Sequence, residues 1–328
     1  MDRIRTVVVG AGYFAKAVHL PAMKAIDDIE ITAICRRNLD ALKPVAAEFG
    51  IPNLYTDYRE MIDEEKPDAV VVITSISATA EVAKYAMEKG IPTLLEKPPG
   101  KTVAEARELV EVAERTGTIN IVAFNRRHSL PVVRAKKLLD DEGLPIRTAS
   151  AKMLRYRRFD KGFVPGTGVH AIDTLRFLAG EIEEVETVDA PPSDKEGGAN
   201  SFTLFKYECG AIGALSVHTV VGISYEGYDV HTEDGSLFIT LPQGGFAGEE
   251  CGFEYWRGPT YPLKSLNRDM IAQYVRPQMM TGIYEENTEL VRCIRENRHS
   301  PNNVLDGLKT MLVADAIARG GRQKVEKP

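Results

Sequence analysis

The feature that most constrains this chain is the alternation of apolar runs with helical patterns over roughly its first 120 residues. Helical patterns, for example Leu39–Phe49 and Val103–Arg115, lie between the apolar runs. Alternating strands and helices predict a parallel sheet with helices on both faces, and right-handed crossovers then give a doubly wound α/β fold. The predicted strands are Thr6–Val9, Ile29–Ile34, Ala69–Ile73, Thr93–Leu95 and Ile119–Phe124.

A different pattern follows Phe124 and predicts a second domain. From about Glu184 to Leu241 the segments are typical of antiparallel strands, and Asp234-Gly235 is a hairpin signal. We therefore predict a Rossmann domain with a doubly wound parallel sheet over residues 1–123. An α+β domain with an open, mainly antiparallel sheet is expected over residues 124–328. Further predicted elements are a long strand at Ile146–Arg158 and helices at Leu130–Asp141, Val169–Leu178, Tyr284–Glu296 and Val304–Arg319.

The composition excludes several classes of protein. With 41 Lys and Arg against 47 Asp and Glu, the net charge is −6, which gives no electrostatic reason to expect nucleic-acid or anionic-membrane binding. No apolar run approaches the roughly 20 residues of a membrane span, and no signal-peptide pattern is present. The four cysteines are scattered without C-x-x-C, so we expect free thiols in a reducing cytoplasm. The histidines have no ligand spacing, so we predict no metal.

A glycine motif follows the first strand. Gly10 and Gly12 form G-x-G-x-x-A with Ala15 in the third position. The first glycine allows a tight turn, and the second lets the backbone approach a pyrophosphate at the N-terminus of the next helix. The alternative is a turn without a ligand, but a strand before and a helix after the motif favour dinucleotide binding. Tyr13 and Phe14, inside the motif, are then predicted to contact the cofactor.

The second predicted strand ends in Cys35-Arg36-Arg37-Asn38. A site for NAD usually has an acidic residue here, which binds the ribose 2′-hydroxyl. Arg36 and Arg37 would instead attract a 2′-phosphate, so NADP(H) is predicted in preference to NAD(H). The alternative is that both arginines lie in a solvated surface loop.

The stretch LLEKPPG at 94–100 places a charged pair at the end of a buried strand. The prolines stiffen the backbone behind Glu96 and Lys97. Ligands of open α/β sheets bind outside the carboxyl ends of the strands, so Lys97 is a candidate catalytic residue. The alternative is a lysine paired with Glu96 as a loop tether, or a lysine that is only solvated. Glu96, with Thr74 and Ser75 after an earlier strand, completes the predicted cofactor-binding set.

Nearly the whole chain resembles the glucose–fructose oxidoreductase/inositol dehydrogenase/MocA family. The resemblance rests on GAGYFAKAVHLPAM at 10–23, EKP at 96–98, NRR at 125–127, GVHAIDTLRFLAG at 168–180 and TEDGSL at 232–237. It implies a Rossmann domain and an open-sheet domain for substrate binding and oligomerisation. The implied activity is oxidation or reduction of a hydroxyl or ketone on a sugar, cyclitol or related molecule. A homodimer or homotetramer assembled through the open sheet face is also implied.

The resemblance also assigns roles to residues. Lys97 would lie beside the nicotinamide and bind the reacting oxygen, and the Lys97–Pro98 bond would be cis. His170 would be the general acid and base. His170 and Asp173 share one helix face at positions i and i+3, so Asp173 is predicted to bind substrate. The alternative is a histidine at a helix start that Asp173 caps. From their positions in the chain, Asn125, after the last strand of the first domain, and Tyr156, at the end of the long strand, are further predicted substrate contacts. The alternative for Tyr156 is a solvated strand end or a subunit contact.

Gly166 is a departure from the family pattern. Many relatives carry an aspartate four residues before the histidine, and this chain has Gly166 there. The loss removes an expected charge partner. Two rival functions therefore stay open: a nucleotide-binding sensor without turnover, and a redox-neutral, NAD-assisted glycosidase or lyase.

Overall fold

The computed structural model describes residues 2–159, 162–190, 200–242, 251–258, 262–266 and 281–328. The chain divides into two compact units, which we call the first unit, Met1–Asn125 with Ile283–Leu308, and the second unit, Arg126–Gly282 with Lys309–Pro328. The sequence predicts one boundary after residue 123. The helix Ile283–Glu296 nevertheless belongs to the first unit, because Leu290 and Cys293 lie in that unit's apolar core.

The first unit contains a six-stranded sheet of order β3-β2-β1-β4-β5-β6, in which all neighbouring strands are parallel. The predicted doubly wound parallel sheet is confirmed. Its strands are β1 Ile4–Val9, β2 Ile29–Cys35, β3 Asn53–Tyr55, β4 Ala69–Val72, β5 Thr93–Leu95 and β6 Asn120–Val122. Its helices are α1 Leu20–Lys24, preceded by a π-helical segment Ala15–His19, α2 Leu39–Phe49, α3 Tyr58–Glu65, α4 Ile76–Glu88 and α5 Val103–Thr116.

Local sequence explains where these helices begin and end. The side chain of Asn38 accepts a hydrogen bond from the backbone N–H of Ala41 at the start of α2, and Thr102 does the same with Glu105 at the start of α5. Gly117 ends α5 in the left-handed conformation, as a glycine C-cap does. All four residues of β4 are buried, as expected of a central parallel strand.

The second unit is built on a nine-stranded sheet of order β14-β13-β12-β11-β7-β10-β9-β8-β15. Only the β7–β10 pair is parallel, so the predicted mainly antiparallel sheet is confirmed. The strands are β7 Ile146–Tyr156, β8 Ile182–Asp189, β9 Asn200–Tyr207, β10 Ile212–Val221, β11 Tyr225–Thr232, β12 Gly235–Leu241, β13 Gly252–Arg257, β14 Pro262–Leu266 and β15 Gly321–Lys324.

Helices cover one face of this second sheet. They are α6 Leu130–Glu142 and α7 Val169–Ala179, which follow a short 3-10 turn Asn125–His128 and a π-helical segment Val164–Gly168 respectively. Helix α7 packs on β7 and β11, and α6 packs on β12 and β13. Of the other described helices, α8 Ile283–Glu296 also belongs to the first unit, and α9 Val304–Ala318 is divided between the two units. Within the described ranges, no helix is long and apolar enough to span a membrane.

Candidate active site

The carboxyl ends of the parallel strands bring the predicted cofactor residues to one edge of the first unit's sheet. Gly10 follows β1, Arg36 follows β2, Thr74 comes shortly after β4, and Glu96 follows β5. The strand order reverses between β1 and β4, and open α/β sheets bind ligands at such a switch point. These residues therefore come to one sheet edge, around the position where folds of this kind bind ligands.

Gly10 holds the glycine-rich loop against the end of β4. Its φ is +113°, and a Cβ at this position would lie 1.9 Å from the carbonyl oxygen of Ile73. A side chain is thus excluded by both backbone conformation and space. At Gly12 nothing lies within 4 Å of the corresponding Cβ position. The loop is closed toward the sheet and open at Gly12, which fits the approach of a dinucleotide pyrophosphate.

Tyr13 and Phe14 follow as exposed side chains at the start of the helix. Thr74 is half-buried, with its hydroxyl 3.1 Å from that of Thr79, whereas Ser75 is exposed at the N-cap of α4. These four predicted cofactor residues line the rim of the same edge. The exposure of Tyr13 and Phe14 fits ligand contact, since most large apolar residues of this unit are buried.

Arg36 and Arg37 lie in different surroundings. The Nη1 group of Arg36 donates a hydrogen bond of 2.9 Å to the carbonyl oxygen of Ala11, inside the glycine-rich loop. Arg36 is half-buried, whereas Arg37 is exposed. One guanidinium is thereby held beside the loop, and no acidic residue follows β2 directly. The binding of a 2′-phosphate by either arginine stays a prediction.

Lys97 lies at the end of β5 on a rigid backbone. The Lys97–Pro98 bond is cis, which confirms the expectation from the family resemblance. Pro98, Pro99 and Gly100 are buried behind it. Helix α9 packs so closely here that a Cβ on Gly307 would lie 3.0 Å from Pro99 Cγ. The lysine itself is half-buried.

Sequence reasoning missed a buried pair beside Lys97. His19 Nε2 lies 2.8 Å from Glu96 Oε1, and both residues are buried. The other carboxylate oxygen, Oε2, accepts the backbone N–H of Lys97 at 3.2 Å. The two partners are 77 positions apart, so no local spacing indicates the pair. The only signal is that the glycine-rich motif and EKP both end at the same edge of the sheet.

In the second unit, the predicted catalytic residue His170 lies in the first turn of the buried helix α7. Asp173 is fully buried, and its two oxygens accept hydrogen bonds of 2.6 Å each from Nε and Nη2 of Arg127. Thr310 adds a third bond of 3.2 Å. Sequence reasoning missed Arg127 as the partner of Asp173. The predicted substrate role of Asp173 stays a prediction, and the structure gives this carboxylate a bidentate ion pair.

The other predicted substrate residues differ in exposure. Asn125 is buried at the start of the 3-10 turn after β6, whereas Tyr156 is 56% exposed at the end of β7. Its neighbour Arg155 lies on the opposite strand face and bonds with Glu226, as Arg126 also does. Burial acts to raise the pKa of Glu226, but the charges of the two arginines outweigh burial and lower it to about 2.

Metal chemistry has no candidate cluster in the part of the chain that the structure describes. No group of three or more His, Cys, Asp and Glu side chains there could hold a metal ion. All four cysteines are free thiols. Burial raises the pKa of Cys35, at the end of β2, to about 12, with further contributions from Asp57 and Glu60. A thiol with such a pKa is a poor nucleophile.

Comparison with known families decides the classification. Residues 4–124 match the oxidoreductase family with an NAD-binding Rossmann fold, and residues 103–238 match the GFO/IDH/MocA C-terminal domain. The chain belongs to the Gfo/Idh/MocA family of oxidoreductases. The resemblance seen in the sequence motifs is therefore confirmed, and the six-stranded sheet is the family's NAD-binding Rossmann fold.

Three proteins illustrate how similar this chain is to known proteins. D-apiose dehydrogenase of Paraburkholderia graminis is 27% identical over 240 residues, which is 69% of this chain but only 61% of that relative's length. Myo-inositol 2-dehydrogenase of Thermotoga maritima is 26% identical over 228 residues, covering 65% of this chain and 67% of the relative. An Agrobacterium radiobacter oxidoreductase in complex with NAD+, L-tartaric acid and magnesium superposes with a TM-score of 0.81 at 18% identity, over 99% of each chain. This last likeness concerns the fold alone.

Proposed function

We propose that the protein is an NADP(H)-dependent oxidoreductase acting on a hydroxyl or keto carbon of a sugar, cyclitol or sugar derivative. The observation that carries the proposal is the sheet edge of the first unit. There the Gly10–Gly12 loop, Arg36 and a rigidly held Lys97 follow strands β1, β2 and β5 of one parallel sheet. The names of the relatives, D-apiose dehydrogenase and myo-inositol 2-dehydrogenase, support polyol-like substrates.

Each cofactor-binding residue has a defined task in this proposal. The backbone at Gly10 and Gly12 holds the pyrophosphate, and Tyr13, Phe14, Thr74 and Ser75 flank the bound dinucleotide. Nicotinamide, when bound, supplies the hydride chemistry. Arg36 contacts a 2′-phosphate through guanidinium N–H groups, with a smaller contribution from the exposed Arg37. Its contact with Ala11 keeps Arg36 at the loop before the cofactor arrives.

The chemical step requires residues that polarise an oxygen and move a proton. Lys97 donates an N–H to the reacting oxygen and stabilises negative charge that develops there. His170 accepts the hydroxyl proton during oxidation and returns it during reduction, because imidazole titrates near neutral pH. Asn125 and Tyr156 orient further substrate hydroxyls. Asp173 holds the guanidinium group of Arg127 and contributes to substrate binding only indirectly, through that ion pair.

The second unit supports the proposal of a homodimer or homotetramer. The face of its sheet opposite the helices carries exposed apolar side chains, and neighbouring strands β8 and β9 contribute Val188, Phe202 and Leu204. An exposed apolar surface of this kind is typical of a subunit contact. We propose that residues 124–328 supply most of the substrate-binding and oligomerisation surface.

The test is nicotinamide absorbance change against a panel of sugars, cyclitols, uronates and nucleotide sugars, with NADP(H) and NAD(H) in parallel. Turnover that prefers NADP(H) supports the proposal and supplies the substrate class. Tight cofactor binding without turnover on any compound would contradict it. Gly166, in place of the family's aspartate, would then favour a sensor or a redox-neutral reaction.

A further inference from the structure

His19 lies between two parts of the sheet edge in the first unit. It is the last residue of the π-helical segment Ala15–His19, which follows the glycine-rich loop, and its side chain is fully buried. Its ring packs edge-to-face on Phe14, with the ring centroids 5.4 Å apart. On the other side, Nε2 bonds with Glu96, the residue directly before Lys97. The imidazole therefore contacts both the glycine-rich loop and the end of β5.

The carboxylate of Glu96 is held at both oxygens. A carboxylate only accepts hydrogen bonds, so Nε2 of His19 donates to Oε1 while the Lys97 backbone N–H donates to Oε2. The backbone N–H of Glu96 itself donates to the carbonyl oxygen of Val72, on β4. Without His19, Oε1 of a buried carboxylate would lose its only hydrogen-bond donor among the described residues. A buried polar group without a partner costs free energy, so the carboxylate is expected to move.

A histidine kept only for packing would not explain this geometry. The second ring nitrogen, Nδ1, is buried and has no hydrogen-bond partner within the described ranges. An unpartnered buried polar atom costs free energy that an aliphatic side chain of similar size avoids. The bond from Nε2 to Glu96 is thus the interaction that this histidine provides. A π-helical segment is itself uncommon and is frequent at functional sites.

We propose that His19 is a positioning residue for Lys97. By holding Glu96, it fixes the backbone from which the lysine side chain extends, relative to the glycine-rich loop. The inference rests on the proposed function, in which Lys97 contacts the reacting oxygen. A shift of about 1 Å in such a group costs roughly 100-fold in rate.

The test compares two substitutions of similar size. His19→Gln keeps an N–H donor near the position of Nε2, whereas His19→Leu removes it. We expect His19→Leu to lower kcat by roughly 10–100-fold, with the KM for the cofactor changed by less than about threefold. His19→Gln is expected to keep most of kcat. A role in packing alone would lower thermal stability in both variants and leave kcat of the folded protein unchanged, which would overturn the proposal.

A second measurement is independent of turnover. Competitive acylation of lysine amines, quantified by peptide mass spectrometry, reports the environment of Lys97 directly. The labelling rate of Lys97 should change several-fold in His19→Leu but not in His19→Gln, while exposed Lys101 stays constant. Unchanged labelling of Lys97 in folded His19→Leu would overturn the inference even if no substrate is found. Failure of the wild type to turn over any compound would instead count only against the proposed function.

Glu96→Leu provides the same test if His19→Leu does not fold. An aliphatic side chain has no acceptor, so both hydrogen bonds of the Glu96 side chain are lost. The expected result is the kcat loss and labelling change of His19→Leu. Wild-type values for both quantities would overturn the proposal.

Discussion

Substitution of Asp173 by asparagine tests whether this predicted substrate residue mainly holds the second unit together. The carboxylate is fully buried. It accepts two hydrogen bonds of 2.6 Å from Arg127 and one of 3.2 Å from Thr310. Asparagine has nearly the same shape but removes the negative charge. It also removes the carboxylate that pairs with the buried guanidinium of Arg127.

The expected loss of unfolding free energy follows from that pairing. Removal of one partner of a buried ion pair costs about 3–5 kcal/mol, because the remaining charge stays buried. The double variant Arg127→Met, Asp173→Leu removes both charges and should recover at least half of the loss. Asp40→Asn is the control: its side chain is 92% exposed and pairs with Lys43 on the surface, so a change below about 0.5 kcal/mol is expected.

Urea unfolding followed by tryptophan fluorescence is a direct assay. The one tryptophan, Trp256, lies in β13 of the second unit and reports the unfolding of that unit. A change below about 1 kcal/mol in Asp173→Asn, combined with a large rise in substrate KM, would refute the structural role. Asp173 would then be a substrate ligand, as its position on the helix first suggests.

Three further predictions concern the first unit. Gly10→Ala should weaken NADPH binding at least about tenfold in a fluorescence titration, because its Cβ would lie 1.9 Å from the carbonyl oxygen of Ile73. Gly50 is the control: it also has a positive φ but lies in open space, so Gly50→Ala should lower the free energy of unfolding by only about 1–2 kcal/mol. Burial raises the pKa of Glu285 from 4.5 to about 7, so the stability that this carboxyl contributes is present below its unfolded pKa and is lost as pH rises through 7. The free energy of unfolding, measured with a chemical denaturant, should therefore fall in the wild type between about pH 5 and about pH 8. In Glu285→Gln the fall should be smaller. Arg36→Ala should raise the KM for NADPH roughly 10–100-fold and leave the KM for NADH nearly unchanged. Arg37 is exposed, so Arg37→Ala should have a smaller effect. Equal effects on both cofactors would contradict recognition of the 2′-phosphate.

Sequence patterns were sufficient for those parts of the fold that depend on local chemistry. Apolar runs predicted the strands β1, β2, β4 and β5. The glycine spacing predicted the tight loop after β1, in which Gly10 closely approaches the carbonyl oxygen of Ile73. The Asp234-Gly235 signal predicted the hairpin between β11 and β12, which pair in antiparallel register. In each case a short segment contains the whole physical reason for the conformation.

Pairings between distant segments could not be predicted in the same way. Helix periodicity correctly places Asp173 on the face of His170, but nearly every residue of α7 is buried, so the pattern does not indicate which face has which partner. The ion pair with Arg127 spans 46 positions and the His19–Glu96 bond spans 77. The apolar positions of α8 likewise predict burial without indicating that the helix returns to the first unit.

The central claim is that Lys97 polarises the substrate oxygen while hydride passes between the attached carbon and the nicotinamide. The most direct test is kcat/KM for the first active substrate from the panel, measured for wild type, Lys97→Ala and Lys101→Ala. Lys101 is an exposed lysine four positions further along and serves as the matched control. We predict a loss of roughly 10²–10⁴-fold for Lys97→Ala with NADPH affinity within about threefold of wild type, and no change for Lys101→Ala. Activity of Lys97→Ala within about tenfold of the wild type would contradict the account.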